Sequence, residues 1–182
     1  METYEIRVRG TAPVLMHNPA SMLDGDGGAA KRKQQYCPEE DAEKATYRNE
    51  DGYLCLPTIA FRAAMLRGAS GLKVGKVTLK SILGHVRPAD ELTVLVNPET
   101  GEPITSYALD TRRAVVQKNG ILRTRPRVDQ WACTVRLIGD PDISPNLEEL
   151  IKTALYHAGN LVGVGDYRVE KGGWFGTFEV EA

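Results

Sequence analysis

Gly163-Val164-Gly165-Asp166-Tyr167-Arg168-Val169-Glu170-Lys171-Gly172-Gly173-Trp174-Phe175-Gly176-Thr177-Phe178 is the stretch whose reading decides the fold. A helical pattern of apolar residues runs into it. Out of it, Trp174, Gly176, Phe178 and Val180 alternate on one face of an expected strand. Its five glycines permit backbone angles closed to other residues and remove side chains that would hold a ligand off the main chain. Arg168 and Lys171 put positive charge beside those amides. A glycine-rich loop with cationic side chains between helix and strand is a candidate phosphate cradle. The competing reading is a plain turn closing a small α/β domain.

Upstream, the last helix is well specified. Ser144 can cap it, Pro145 fits its first position, and Glu148 and Glu149 suit its positive end. Leu147, Leu150, Ile151, Ala154, Leu155 and Ala158 form an apolar stripe, with Gly159 as the expected terminator. Before it, Trp131, Cys133, Val135 and Leu137 alternate as a strand, and earlier still Ala114–Lys118 and Ile121–Thr124 flank Asn119-Gly120. Asn-Gly supplies the positive φ angles of a two-residue type I′ turn, so a hairpin is expected there. Arg112, Arg113, Lys118, Arg123, Arg125 and Arg127 crowd this hairpin, with no acidic residue between Asp110 and Asp129.

Nearer the start, Tyr4, Ile6 and Val8 alternate with Glu5, Arg7 and Arg9 as a half-buried strand, interrupted by Gly10 and Pro13. Val14-Leu15-Met16 is a short apolar run before His17. Residues 19–51 change character: a glycine loop with Asp24 and Asp26, the basic cluster Lys31-Arg32-Lys33, then acids from Glu39 to Glu43. They are expected to be a long insertion that adds little core. Tyr53–Leu56 resumes as a strand, and Pro57-Thr58 opens a helix to about Gly68. Residues 71–86 suggest a short helix with Lys73, Lys76 and Lys80 on its solvated side, and Leu92, Val94 and Val96 alternate before a turn.

The order strand, helix, strands, helix, glycine loop, strand predicts an α+β chain. Its expected form is one ferredoxin-like (RRM-like) β-α-β-β-α-β domain over 1–182, with insertions at about 19–51 (flexible loop) and about 97–128 (basic hairpin).

Composition sets outer limits. Hydrophobic residues make up 42% of 182 positions, enough for a core, and the formal net charge of −1 names no partner by itself. The charge is unevenly distributed: acids gather in Glu39–Asp51 and Asp140–Glu149, and the middle is basic, which can give a near-neutral chain a positive surface. Cys37, Cys55 and Cys133 have no paired spacing and read as reduced thiols, Cys133 buried; no zinc motif or disulfide framework is expected. The charged, strand-like start is no signal peptide, and no uncharged apolar run approaches membrane-spanning length. A cytoplasmic protein with no membrane partner and no cofactor is expected.

Leu54-Cys55-Leu56-Pro57-Thr58-Ile59-Ala60-Phe61-Arg62-Ala63-Ala64-Met65-Leu66-Arg67 resembles the strand, proline and Leu-Arg helix of the RAMP (repeat-associated mysterious protein) superfamily. Gly163-Val164-Gly165 followed by Gly173-Trp174-Phe175-Gly176 is similar to that family's C-terminal glycine-rich loop, and the first strand, broken by Pro13 before His17, to its first strand. These ferredoxin-like, RRM-related proteins include backbone and processing subunits of class 1 CRISPR systems. The chain departs from them in a longer glycine loop and in being short for a backbone subunit. It also resembles small uncharacterised phage and prophage proteins with a comparable glycine-aspartate-aromatic-arginine loop.

The resemblance implies a non-catalytic subunit binding single-stranded RNA, or else DNA, as side-by-side copies or within a ribonucleoprotein complex. The expected contacts are Arg62 and Arg67 on the first helix, Arg112, Arg113, Lys118, Arg123, Arg125 and Arg127 on the hairpin, and Gly163, Gly165, Arg168, Lys171 and Gly173 in the loop. Against this, the hairpin arginines can simply keep a sheet edge soluble. Tyr167 and Trp174 can stack on bases, although Trp174, alternating with Phe178, reads rather as core. Two alternatives stay open: a metal-independent endoribonuclease using His17 as general acid–base, and a phage structural or interaction protein whose hairpin binds protein. Asp24 and Asp26 read as an ordinary turn ahead of a metal site. Gly163-Val164-Gly165 follows a helix, the wrong context for a P-loop or a dinucleotide fingerprint.

Overall fold

The computed structural model describes residues 1–21, 36–116 and 119–181. Lys118 and the segment with Asp24, Asp26 and Lys31–Lys33 lie outside them. In chain order the elements are β1 (Glu2–Gly10), β2 (Val14–Leu15), α1 (Pro38–Lys44), β3 (Cys55–Pro57), α2 (Thr58–Gly68), β4 (Lys73–Val74), β5 (Val77–Thr78) and α3 (Leu79–Leu83). There follow β6 (Arg87–Pro88), β7 (Leu92–Val94), β8 (Ala108–Val116), β9 (Asn119–Val128), β10 (Ala132–Gly139), α4 (Leu147–Leu161) and β11 (Phe178–Val180). The chain is a mixed α+β protein. Among its described residues no helix is long and apolar enough to cross a membrane.

The main sheet runs β11-β1-β10-β6, all neighbours antiparallel. Alternation in β1 and β10 sends Tyr4, Ile6, Val8, Cys133, Val135 and Leu137 to one face, where α2 and α4 cover them. The other face is charged: Arg136 meets Glu5 directly across the ladder (3.1 Å) and Asp90 on the far side (2.9 Å), and Arg7 meets Glu181. Its residues Thr3, Glu5, Arg7, Arg9, Arg87, Ala132, Thr134, Arg136, Ile138 and Glu179 include no aromatic, so this face offers no stacking platform.

The two helices approach closely because Gly68 has no side chain. A Cβ there would lie 2.4 Å from the Ala154 carbonyl oxygen. Gly159 is used in the same way against β11, where a Cβ would lie 1.9 Å from the Phe178 carbonyl. Gly159 therefore sits inside α4 and does not end it. The helix stops at Gly163, whose φ of 74° and N–H bond to Ala158 O (2.9 Å) turn the chain out. The expected start also moves: α4 begins at Leu147, after Ser144 and Pro145.

Other expectations are corrected. The second hairpin pairs Val116 with Asn119 and Val115 with Gly120, so Asn119-Gly120 belongs to β9 and is not the turn. The register is pinned at the base, where Val14 pairs with Val128 and Thr111 Oγ1 bonds Thr124 Oγ1 (2.7 Å), and that outweighs turn chemistry at the tip. Residues 71–86 do hold a short helix, α3, but it is confined to Leu79–Leu83 and follows the small β4–β5 hairpin, which takes Lys73 out of it. The last strand is only Phe178–Val180; Trp174 lies outside it and is exposed. Within 19–51, α1 packs on β9 and buries Ala42 and Ala45, and Asp41 Oδ2 accepts the Thr124 N–H (2.7 Å).

Candidate nucleic-acid interface

The glycine loop folds against the end of β2. Asp166 N–H donates to Leu15 O (2.8 Å) and Gly176 N–H to Pro13 O (2.8 Å), while Val164 N–H donates to Gly176 O (2.9 Å). At Gly165 (φ 75°) a Cβ would lie 2.5 Å from Leu15 O, and at Gly173 one would lie 1.6 Å from Tyr167 O. Gly163, Gly165 and Gly173 thus let the chain pack on itself. The amides of Gly163, Val164, Asp166, Gly173 and Gly176 are spent on carbonyls of the same chain, so they make no open phosphate cradle.

What the loop presents is side chains. Tyr167 adopts φ 52°, a left-handed angle that costs a non-glycine residue about 1–2 kcal/mol. It is held there by its N–H bond to Asp166 Oδ1 (2.9 Å) and by the close approach that Gly173 allows. Tyr167 is 44% exposed and Trp174 53% exposed, and Trp174 stacks on the buried Phe175 ring at 4.2 Å. The Arg112 guanidinium lies 4.8 Å from the Phe175 centroid and 5.8 Å from that of Tyr167.

The hairpin arginines divide by register. Arg112 opposite Arg123, Arg125 opposite Asp110 and Arg127 opposite Ala108 share one face, and Arg113 opposite Leu122 lies on the other. Acids at the two ends of the basic stretch, and one from the glycine loop, neutralise part of it. Asp110 takes Arg112 in a two-pronged contact (2.5 and 3.0 Å), Asp129 takes Arg127 (2.6 Å), and Asp166 takes the buried Arg125. The last is a charge contact without an aligned hydrogen bond, since Arg125 Nε has no acceptor in line. Arg113 and Arg123 have no carboxylate partner among the described residues, and neither has Lys171.

Arg62 lies apart from this face. Its Nε donates to Val86 O (2.6 Å) and Nη2 to Gly84 O (2.9 Å), closing the segment after α3. Arg67 and Arg168 converge on one carboxylate, Glu170, at 2.7 and 3.0 Å, and Arg168 Nη1 also donates to Gly165 O (3.1 Å).

Arg67 and Arg168 border a cavity of about 260 Å³ between the end of β2, α2 and the glycine loop. Its floor is Leu56, Pro57, Ala60, Ala63, Ala64 and Val164; its rim adds His17, Tyr47 and Asp166. The His17 ring makes no hydrogen bond among the described residues. Burial holds its pKa below the ordinary 6.5; Arg125 and Arg123 push the same way, and Asp166 and Asp41 oppose them. His85 is committed elsewhere, its Nδ1 to Ile82 O (2.7 Å) and its Nε2 to the Asp140 N–H (3.2 Å). No group of histidine, cysteine and acidic residues suited to a metal occurs among the described residues.

Asp166, Glu170 and Phe175 are parts of the site to which the sequence alone gave no role. Asp166 was visible as an acid inside a glycine-rich, basic stretch, but its partner Arg125 belongs to another element. No family model matches the chain, and no curated protein matches it.

Proposed function

We propose that this chain is a RAMP-like subunit that binds single-stranded nucleic acid, RNA ahead of DNA, without catalysing its cleavage. The finer fold reading is ferredoxin-like. It is supported by taking β1, β6, β10 and β11 as first to fourth strands and α2 and α4 as the helices: the sheet order is then fourth-first-third-second. Copies would lie side by side along the strand, within a larger assembly.

The observation that carries the binding reading is the exposed pair Tyr167 and Trp174, set among arginines on a loop locked by its own backbone bonds. Aromatic faces stack on bases of any identity, and arginines engage the phosphates between them. The usual sheet face lacks aromatics, and the amides of Gly163, Val164, Asp166, Gly173 and Gly176 are occupied, so recognition falls to these side chains.

The test uses a natural probe. The chain has two tryptophans, and Trp131 is fully buried, so strand binding should change the fluorescence of Trp174. Titration with RNA and DNA homopolymers should quench it, and Trp174→Ala should abolish the signal and weaken binding by about 1–3 kcal/mol. Unchanged fluorescence and no mobility shift at low salt would remove the proposal. The cleavage alternative keeps one point in its favour, the His17 ring, without a hydrogen bond among the described residues, in the cavity that Arg67 and Arg168 line. RNA products ending in 2′,3′-cyclic phosphate with wild type and not with His17→Ala would establish it.

A further inference from the structure

We infer that the cavity between α2, the end of β2 and the glycine loop seats a single unstacked nucleobase. This rests on the strand-binding reading and adds to it a site of base readout.

The size is the first argument. At about 260 Å³ the cavity lies just below the roughly 300 Å³ at which pockets for drug-sized ligands begin, so it suits a ligand of one or two rings. The second is the floor. Ala60 and Ala63 line the cavity from α2 where larger side chains would fill the space, leaving an apolar surface. A free phosphate gains nothing on that floor and would have the rim alone, where Asp166 offsets part of the charge of Arg67 and Arg168.

The third is the rim. The neutral form of the half-buried His17 ring, which burial favours, offers one donor and one acceptor nitrogen with no partner among the described residues. A base edge presents the matching acceptor and donor, and a carboxylate such as Asp166 accepts from an exocyclic amino group. Arg67 and Arg168 share the single Glu170, so this edge keeps net positive charge for the phosphate attached to the seated base. Enzymes that extrude a base hold it in the same two ways, by edge hydrogen bonds and apolar contact. Asp166 and Arg168, which line the cavity, flank Tyr167 in sequence, so the cavity and the proposed stacking residue belong to one loop.

The experiment is calorimetric titration of the full chain with the four nucleoside 5′-monophosphates, with inorganic phosphate as control. At least one nucleotide should bind tenfold or more tighter than phosphate. Ala63→Leu, which fills the floor, should erase that difference while strands still quench Trp174. His17→Ala, which leaves the cavity open, should lower the preference among bases. Phosphate binding as tightly as every nucleotide, or undiminished nucleotide affinity in Ala63→Leu, overturns the inference. If Ala63→Leu fails to fold, His17→Ala and the phosphate comparison decide. Nucleotide binding without strand quenching would keep the cavity site and remove the strand reading. Strand quenching without nucleotide preference would do the reverse.

Discussion

Tyr167 is the residue where conformation and exposure disagree most. A left-handed angle is unfavourable for tyrosine, and an exposed ring recovers little of that cost by burial. Asparagine tolerates the angle better. Tyr167→Asn should therefore leave the unfolding free energy from urea titration within about 0.5 kcal/mol of wild type while lowering strand affinity by about 1–3 kcal/mol. A purely structural tyrosine would show the opposite pair of effects. His17 gives a second residue-scale prediction, on pH. Its folded pKa is depressed below 6.5, so at intermediate pH the unfolded chain binds more protons than the folded one. The stability of wild type relative to His17→Gln is then complete above about pH 6.5 and is lost as pH falls from there through the depressed folded value. Parallel stability curves for the two proteins would show that the imidazole is not held neutral by its surroundings. Neither feature was legible in the sequence, because both depend on what the loop packs against.

At the scale of elements, Arg62 shows how a basic residue can be read correctly as helical and still leave its role undecided. It sits on α2 as the sequence implies, yet its guanidinium reaches the carbonyls of Gly84 and Val86. Arg62→Ala should cost about 1.5–3 kcal/mol, the range for hydrogen bonds from a charged donor, and should leave strand affinity unchanged. A lowered affinity at unaltered stability would return Arg62 to the interface. The elements with strong periodicity were legible: β1 and β10 follow from alternation, and the helix opens at Pro57-Thr58 as expected, although no side chain caps it. The misread ones had short-range signals that long-range contacts override. Asn119-Gly120 lost to a register set at the hairpin base, and Gly159 lost its expected role as terminator to the close approach of β11. Trp174 alternates with Phe178, but the loop ends its extended course before Trp174 can share that face.

At the scale of the molecule, a formal net charge of −1 would repel a polyanion, so any strand must be held by the local arrangement of charge. Sequence showed the basic middle, bounded by Asp110 and Asp129 two residues from their arginines, but not its full neutralisation, since Asp166 meets Arg125 only after folding. The charge left over on the loop side is that of Arg123 and Lys171, together with the excess of Arg67 and Arg168 over Glu170. That corresponds to about three neutralised phosphates and a slope of about −2 in log K against log salt for a single strand. Arg123→Gln with Lys171→Gln should cut the slope to about −0.7, with Trp174 quenching preserved at low salt. A wild-type slope near −4 would mean that Arg112, Arg125 and Arg127 abandon their carboxylates for the strand, so that binding remodels the hairpin. A slope near zero would mean that the unpaired cations face another protein, and the interaction-protein alternative would take over.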